Sequence, residues 1–159
     1  MESSQAAAHH ERPIQVPNVA TDAIVVRPSG PSAHQILLIT RARDPFKGAL
    51  AFPGGFVDYN EDPEVACLRE LDEECGIKGK SVELITVAGN PKRDPRKHII
   101  SIAYYVQMAD STQEPKAGDD AATAKWYDLN EVWTTREMAF DHKDIIKVFL
   151  QKHLPQYLK

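Results

Sequence analysis

Apolar residues occur along this chain in short bursts set apart by turn-forming residues. β-Branched and apolar side chains fill 20–27 and 35–42 with Pro28-Ser29-Gly30-Pro31 between them, which predicts two strands joined by a turn. A short strand is predicted at 50–52, and Pro53-Gly54-Gly55 then breaks regular structure. Further strands are predicted at 81–88, where Val82, Leu84, Ile85 and Val87 alternate imperfectly, at 98–108, and near 125–127. Two segments instead carry the helical period. One runs over 63–75, with Asp62 as cap, Pro63 at the first helical position and Gly76 as the stop. The other runs over 141–153, with Asp141 as cap and Ile145, Ile146, Phe149 and Leu150 on one face. Strands interleaved with two helices predict one α/β domain over 13–159, in which a mixed sheet packs between helices. Residues 1–12 share none of this patterning and read as a mobile arm.

Composition narrows the class. With 159 residues, 42% of them hydrophobic, one core of ordinary size is expected. Runs such as Ile36-Leu37-Leu38-Ile39 are strand-sized, far short of the roughly 20 residues of a membrane helix, so no spanning segment is expected. The first dozen residues lack the basic and apolar parts of an export signal. Cys67 and Cys75 on one helix would stand about 12 Å apart, too far for a disulfide, and lack metal-site spacing. Helix packing in a reducing, cytoplasmic compartment is the expectation.

The net charge of −4 gives no bulk basic footprint for nucleic acid, but it is unevenly spread. Residues 61–74 hold seven acids against Arg69, a net of −6, which leaves the rest of the chain at +2. Within that remainder, 92–97 carries four bases against Asp94. An acidic helix in a slightly basic protein suits a small phosphate-bearing ligand better than a long nucleic-acid backbone.

That helix carries the chemistry. On a wheel of about 100° per residue starting at Val65, Glu70, Glu73 and Glu74 fall between about 80° and 180°, and Cys67, Leu68, Leu71 and Cys75 between about 200° and 300°. Ala66 sits among the carboxylates. Three carboxylates on two turns repel one another, and hard divalent cations such as Mg2+ or Mn2+ are their natural partners, because these take oxygen ligands and bridge to substrate phosphates. Arg69 reaches Glu73 one turn on. A solvated acidic face is the bland alternative, and Asp72, on another side of the wheel, fits it.

The segment resembles the Nudix box, G-x5-E-x7-R-E-U-x-E-E-x-G-U with U aliphatic, and every specified position is filled: Gly55, Glu61, Arg69, Glu70, Leu71, Glu73, Glu74, Gly76 and Ile77. Chance agreement is on the order of one in a hundred million per start or rarer, at average residue usage. The resemblance implies an α/β/α sandwich that hydrolyses a nucleoside diphosphate linked to another moiety, using Mg2+ or Mn2+. It implies that Glu70, Glu73 and Glu74 are metal and catalytic carboxylates, that the backbone carbonyl of Gly54 adds a metal ligand, and that Arg69 and Glu61 hold loop and helix together.

The flanks are similar to the ADP-ribose pyrophosphatase branch, through Arg41-Ala42-Arg43-Asp44-Pro45-Phe46-Lys47-Gly48, Ala51-Phe52-Pro53-Gly54-Gly55, and Asn90-Pro91-Lys92-Arg93-Asp94-Pro95-Arg96. They depart from it at Leu50, where Trp is common, and at Lys97, where Gly is common. Arg41, Arg43, Arg93 and Arg96 are candidate phosphate ligands, because guanidinium forks suit phosphate oxygens. Phe46, Phe52 and Tyr104 are candidates for base stacking, with core packing favoured for the last two. Asp119, Asp120 and Glu114 are loop carboxylates that solvent alone would explain, and His98 and His142 read as structural. The first hypothesis is a pyrophosphohydrolase giving AMP and ribose 5-phosphate from ADP-ribose. The alternatives are a nucleoside triphosphate sanitising hydrolase and a silent ADP-ribose sensor, against which the intact box and the lack of room for a winged helix argue. Neither nucleic acid nor membrane is an expected partner, and a homodimer that completes the pocket stays open.

Overall fold

The computed structural model describes residues 13–118 and 120–159; the N-terminal arm and Asp119 lie outside the described residues. In chain order the elements are β1 (Asn18–Ile24), β2 (Val26–Gly30), β3 (Ala33–Arg41), β4 (Leu50–Ala51), β5 (Gly54–Phe56), α1 (Pro63–Cys75), β6 (Gly79–Ala88), β7 (Ile99–Met108), β8 (Ala121–Asp128), α2 (Leu129–Thr135) and α3 (His142–His153), closed by a 3-10 turn (Pro155–Leu158).

Two four-stranded sheets replace the single one expected. In the first, ordered β5-β1-β7-β6, β1 runs parallel to β7 and the other pairs are antiparallel. In the second, β3 pairs antiparallel with β2 and β4 and also with β8. The strand expected over 20–27 is divided between them at Val25. That residue is fully buried, and its carbonyl accepts the Leu37 N–H at 2.9 Å, which ties the crossing point to the second sheet.

Alternation along the central strands then splits the core in two. Ala23, Val25, Leu37 and Ile39 pack with Cys67, Leu71 and Cys75 of α1. Ile24, Ile36 and Leu38 pack with Ile145, Ile146, Phe149 and Leu150 of α3. A helix therefore covers each outer face, which is the α/β/α sandwich. Among the described residues no helix is long and apolar enough to cross a membrane.

α1 has the predicted bounds. The Asp62 side chain accepts the Glu64 N–H at 2.8 Å, and Gly76 closes the helix in left-handed backbone at φ 65°, its N–H donating to Asp72 O. Cys67 and Cys75 are free and buried as expected, and burial pushes both thiols up to about 12. Asp141 differs from its expected role: it makes no side-chain cap bond to α3 and holds Arg93 instead.

Candidate active site

An open pocket forms where α1, the β4–β5 turn, the loop before β7 and the segment leading into α3 meet. α1 offers it two of the three predicted carboxylates. Glu74 is only 7% exposed, and its Oε2 accepts the Gly54 N–H at 2.9 Å. Burial, with the nearby charges of Glu70, Asp120 and Asp22, raises its carboxyl from 4.5 to about 8 against the pull of that hydrogen bond. Glu70 is shifted upward too, chiefly by burial, with Arg69 opposing. Glu73 stands apart. Its side chain is 57% exposed and rests on Arg69 at 3.1 Å. Ala66, which the wheel sets among the carboxylates, is fully buried.

Among the described residues no three His, Cys, Asp or Glu side chains gather at metal-coordinating distance. The donors in this corner nevertheless suit a hard cation. Glu70, Glu74, Gly54 and Asp120 line the pocket with oxygen, and a divalent cation would offset both the burial of Glu70 and Glu74, which is the main cause of their upward shifts, and the smaller repulsion from neighbouring carboxylates.

Arg69 organises this corner. Its Nε and Nη2 fork onto Glu61 at 2.7 and 2.8 Å, Nη1 donates to Glu70 at 2.9 Å and Glu73 at 3.1 Å, and Nη2 also reaches the Phe56 carbonyl at 3.1 Å. The turn beside it requires glycine. A Cβ on Gly54 would stand 2.1 Å from the backbone oxygen of Thr21, and one on Gly55 2.3 Å from Glu70 Cδ. Gly54→Ala is therefore expected to force β1 and β5 apart, at about 1–3 kcal/mol or more, and to lower turnover along with the melting temperature. An unchanged melting temperature would refute the backbone clash.

All four predicted arginines border the pocket, in unequal states. Arg93 is 4% exposed and already forked on Asp141 at 2.9 and 2.6 Å, and Arg96 is forked on Asp94 at 3.0 and 2.8 Å. Arg43 is 78% exposed, 3.9 Å from Asp120. Arg41 forms no ion pair with a carboxylate among the described residues. Its Nε donates to Pro45 O at 2.7 Å, its guanidinium lies 4.9 Å from the Phe140 ring centroid, and burial with the charge of Arg96 pushes its pKa down. Phe140 meets Phe46 edge-on at 4.9 Å, and both hold left-handed backbone, at φ 52° and 60°. Strain of this kind in bulky residues concentrates at ligand sites.

Of the remaining candidates, Phe52 and Tyr104 are core residues, and Glu114 pairs with Arg27 away from the pocket. The exposed ring of His98 meets Gly89 O. His142 is buried and hydrogen-bonded, as a structural histidine would be, and with Asp22 and Ser101, which were not among the candidates, it forms a buried polar floor that lines the pocket. Asp22 was the available signal, a carboxylate in the middle of an apolar strand.

The α/β/α sandwich, with its carboxylate helix set against a Gly-Gly turn, defines the class: the NUDIX domain family model matches residues 16–149, and the chain belongs to this family. Among particular relatives, it is 43% identical over 135 residues to the ADP-ribose pyrophosphatase of Methanocaldococcus jannaschii, covering 85% of this chain and 74% of that one. It is 34% identical over 115 residues to the ADPR responsive transcriptional repressor NtrR of Acinetobacter baylyi, covering 71% of this chain but only 45% of the repressor. In structure it is similar to the NUDIX domain of Shewanella oneidensis NrtR complexed with ADP ribose, with a TM-score of 0.79, 25% identity, and coverage of 96% of this chain and 98% of that one.

Proposed function

We propose that this chain is a divalent-cation-dependent pyrophosphohydrolase that cleaves ADP-ribose, or a closely related nucleoside diphosphate sugar, to AMP and a sugar phosphate. The observation that carries the proposal is the pocket itself: it is lined both by Glu74, a buried carboxyl with a raised proton affinity, and by Arg41, whose guanidinium has no carboxylate partner among the described residues. The resemblance to the pyrophosphatase of M. jannaschii supplies the substrate class.

Glu70, Glu74 and the Gly54 carbonyl would hold Mg2+ or Mn2+, with Glu73 at the rim. When bound, such a cation supplies polarisation of a phosphoryl oxygen and a lower pKa for an attacking water. The residues of the chain do the rest. Arg41 binds the diphosphate charge without first giving up a carboxylate partner, and Arg96, part exposed, adds a second guanidinium at the same edge. Water oxygen bonds to one phosphorus as the P–O–P link breaks, the bridging oxygen leaves with the other phosphate, and Glu74 takes the water proton. Glu73 suits that last role less, because Arg69 already holds it on the surface.

Phosphorus NMR of ADP-ribose incubated with the protein and Mg2+ is expected to show two monophosphate products, lost by at least about a hundredfold in rate on chelation with EDTA. Pyrophosphate released from a nucleoside triphosphate, with ADP-ribose left intact, would select the sanitising hydrolase. The matches to NtrR and NrtR favour one further reading, an ADP-ribose sensor, which calorimetric binding without hydrolysis would establish. Parallel titrations with Mg2+ and Mn2+ identify the preferred metal.

A further inference from the structure

The polar floor of the pocket has no part in the mechanism above, yet its bonds lead to it. His142, the first residue of α3, is 3% exposed and stacks on Phe52 with ring centroids 4.8 Å apart. Its Nδ1 accepts the Phe52 N–H at 3.2 Å, so the ring proton belongs on Nε2, which lies 3.5 Å from Asp22 Oδ2. The Ser101 hydroxyl donates to that same Asp22 oxygen. Burial works against the charge on Asp22, but His142, Ser101 and Arg93 outweigh it and keep its carboxyl below the usual range.

Asp22 is also the strand partner of Gly54, and the Pro53 carbonyl accepts the neighbouring Ala23 N–H at 2.8 Å. The segment from Phe52 to Gly54 is thus held at both ends. β1 holds it at Pro53 and Gly54, and α3 holds it at Phe52 through a single imidazole nitrogen. Gly54 in turn donates its N–H to Glu74. Phe52 has no other backbone donor, and a buried N–H left without an acceptor costs about 1–3 kcal/mol, enough to displace so short a turn.

We propose that His142 is a positioning residue: by taking the Phe52 N–H it fixes the turn that presents Gly54 to Glu74, while Asp22 and Ser101 hold its ring in that orientation. This rests on the reading of the pocket as a cation-dependent catalytic centre. His142 touches neither Glu74 nor the substrate diphosphate in this scheme and acts only through the turn.

Two substitutions separate its two contacts. His142→Asn places an oxygen near the Nδ1 position and keeps an acceptor for Phe52, whereas His142→Gln reaches toward Asp22 and loses that acceptor. Mn2+ binding by the whole chain, read by electron paramagnetic resonance, is measured beside kcat and KM for ADP-ribose. His142→Gln is expected to weaken Mn2+ binding and to lower kcat, each by about tenfold or more, with KM within about twofold, as orienting partners of metal sites typically do. His142→Asn, the conservative variant, recovers most of both losses. His142→Gln retaining wild-type Mn2+ affinity and kcat, or the two variants falling equally, would overturn the proposal. If His142→Gln does not fold, the nitrogen-15 resonances of the wild-type ring decide: an unprotonated Nδ1 coupled to the Phe52 N–H upholds it, and a proton on Nδ1 overturns it. Wild type that binds Mn2+ but leaves ADP-ribose intact would refute the substrate reading alone, because the Mn2+ measurements still separate the variants.

Discussion

Glu74→Gln is expected to lower turnover of ADP-ribose by about 10²–10⁴-fold and, in EDTA at alkaline pH, to make the protein more stable than wild type. Both effects follow from one side chain. Gln keeps the shape and an oxygen for the Gly54 N–H, but it neither takes a proton from water nor carries a charge. The sign of the stability effect comes from linkage. Glu74 is raised from 4.5 to about 8 in the fold, so the folded chain binds its proton more tightly than the unfolded chain does. Stability from this group is complete below about pH 4.5 and is lost as pH rises toward 8 and beyond, on the order of a few kcal/mol for a shift of this size. Gln has no proton to lose. The melting temperature of the variant should therefore cross above that of wild type as pH rises in EDTA, and saturating Mg2+ should close the gap by stabilising only the wild-type carboxylate. Turnover within tenfold of wild type would sink the assignment of Glu74, and equal melting temperatures at pH 8.5 in EDTA would sink the account of its burial.

A buried charge that costs stability is hard to infer from sequence, where Glu70, Glu73 and Glu74 look equivalent. The helical wheel placed all three on one face, but it carries no information about what packs over that face. The β4–β5 turn bonds the Glu74 side chain and the loop at Gly118 lies on its backbone, while Arg69 holds Glu73 at the surface. α1 itself was legible to its last residue, because cap, first-turn proline and closing glycine are local signals. β5 was not. Gly54-Gly55-Phe56 has no strand pattern, and only its pairing with β1, more than thirty residues away, makes it a strand. The division at Val25 was hidden for the same reason, since the apolar run Ala23-Ile24-Val25-Val26 gives no sign of which sheet each half joins. α2 did leave a signal, because Asp128 bonds the Glu131 N–H as Asp-x-x-Glu capping patterns do. Four arginines were legible as pocket residues, but not the Asp141, Asp94 and Asp120 partners of Arg93, Arg96 and Arg43, beside which Arg41 has no carboxylate partner among the described residues. Asp22, Ser101 and His142 lie far apart in sequence and meet only because β1 runs parallel to β7 and α3 packs across both.

Arg69→Ala is expected to have the second largest effect, and on both stability and rate. Removing one guanidinium releases Glu61, Glu70 and Glu73 together, and leaves the Phe56 carbonyl without its donor. Three carboxylates then face one another with nothing between them. A loss of about 2–4 kcal/mol is typical when a network of charge-assisted bonds is broken from one side. Turnover should fall by about 10–100-fold, because Glu70 loses the partner that orients it. The pH dependence supplies the check. Arg69 hydrogen bonds hold the Glu61 carboxyl down from 4.5 to about 2, so in wild type this group adds stability that is complete above about pH 4.5 and lost as pH falls through 2. The alanine variant lacks that contribution, so its deficit should be widest above pH 4.5 and shrink on acidification. Arg69→Lys, a point charge unable to fork, should recover part of the stability but little of the rate. Added Mg2+ should narrow the stability deficit of both variants, because a cation among the released carboxylates takes over some of the neutralising charge. A deficit that stays constant from pH 7 to pH 2 would show that Arg69 acts by packing its stem and not through these carboxylates.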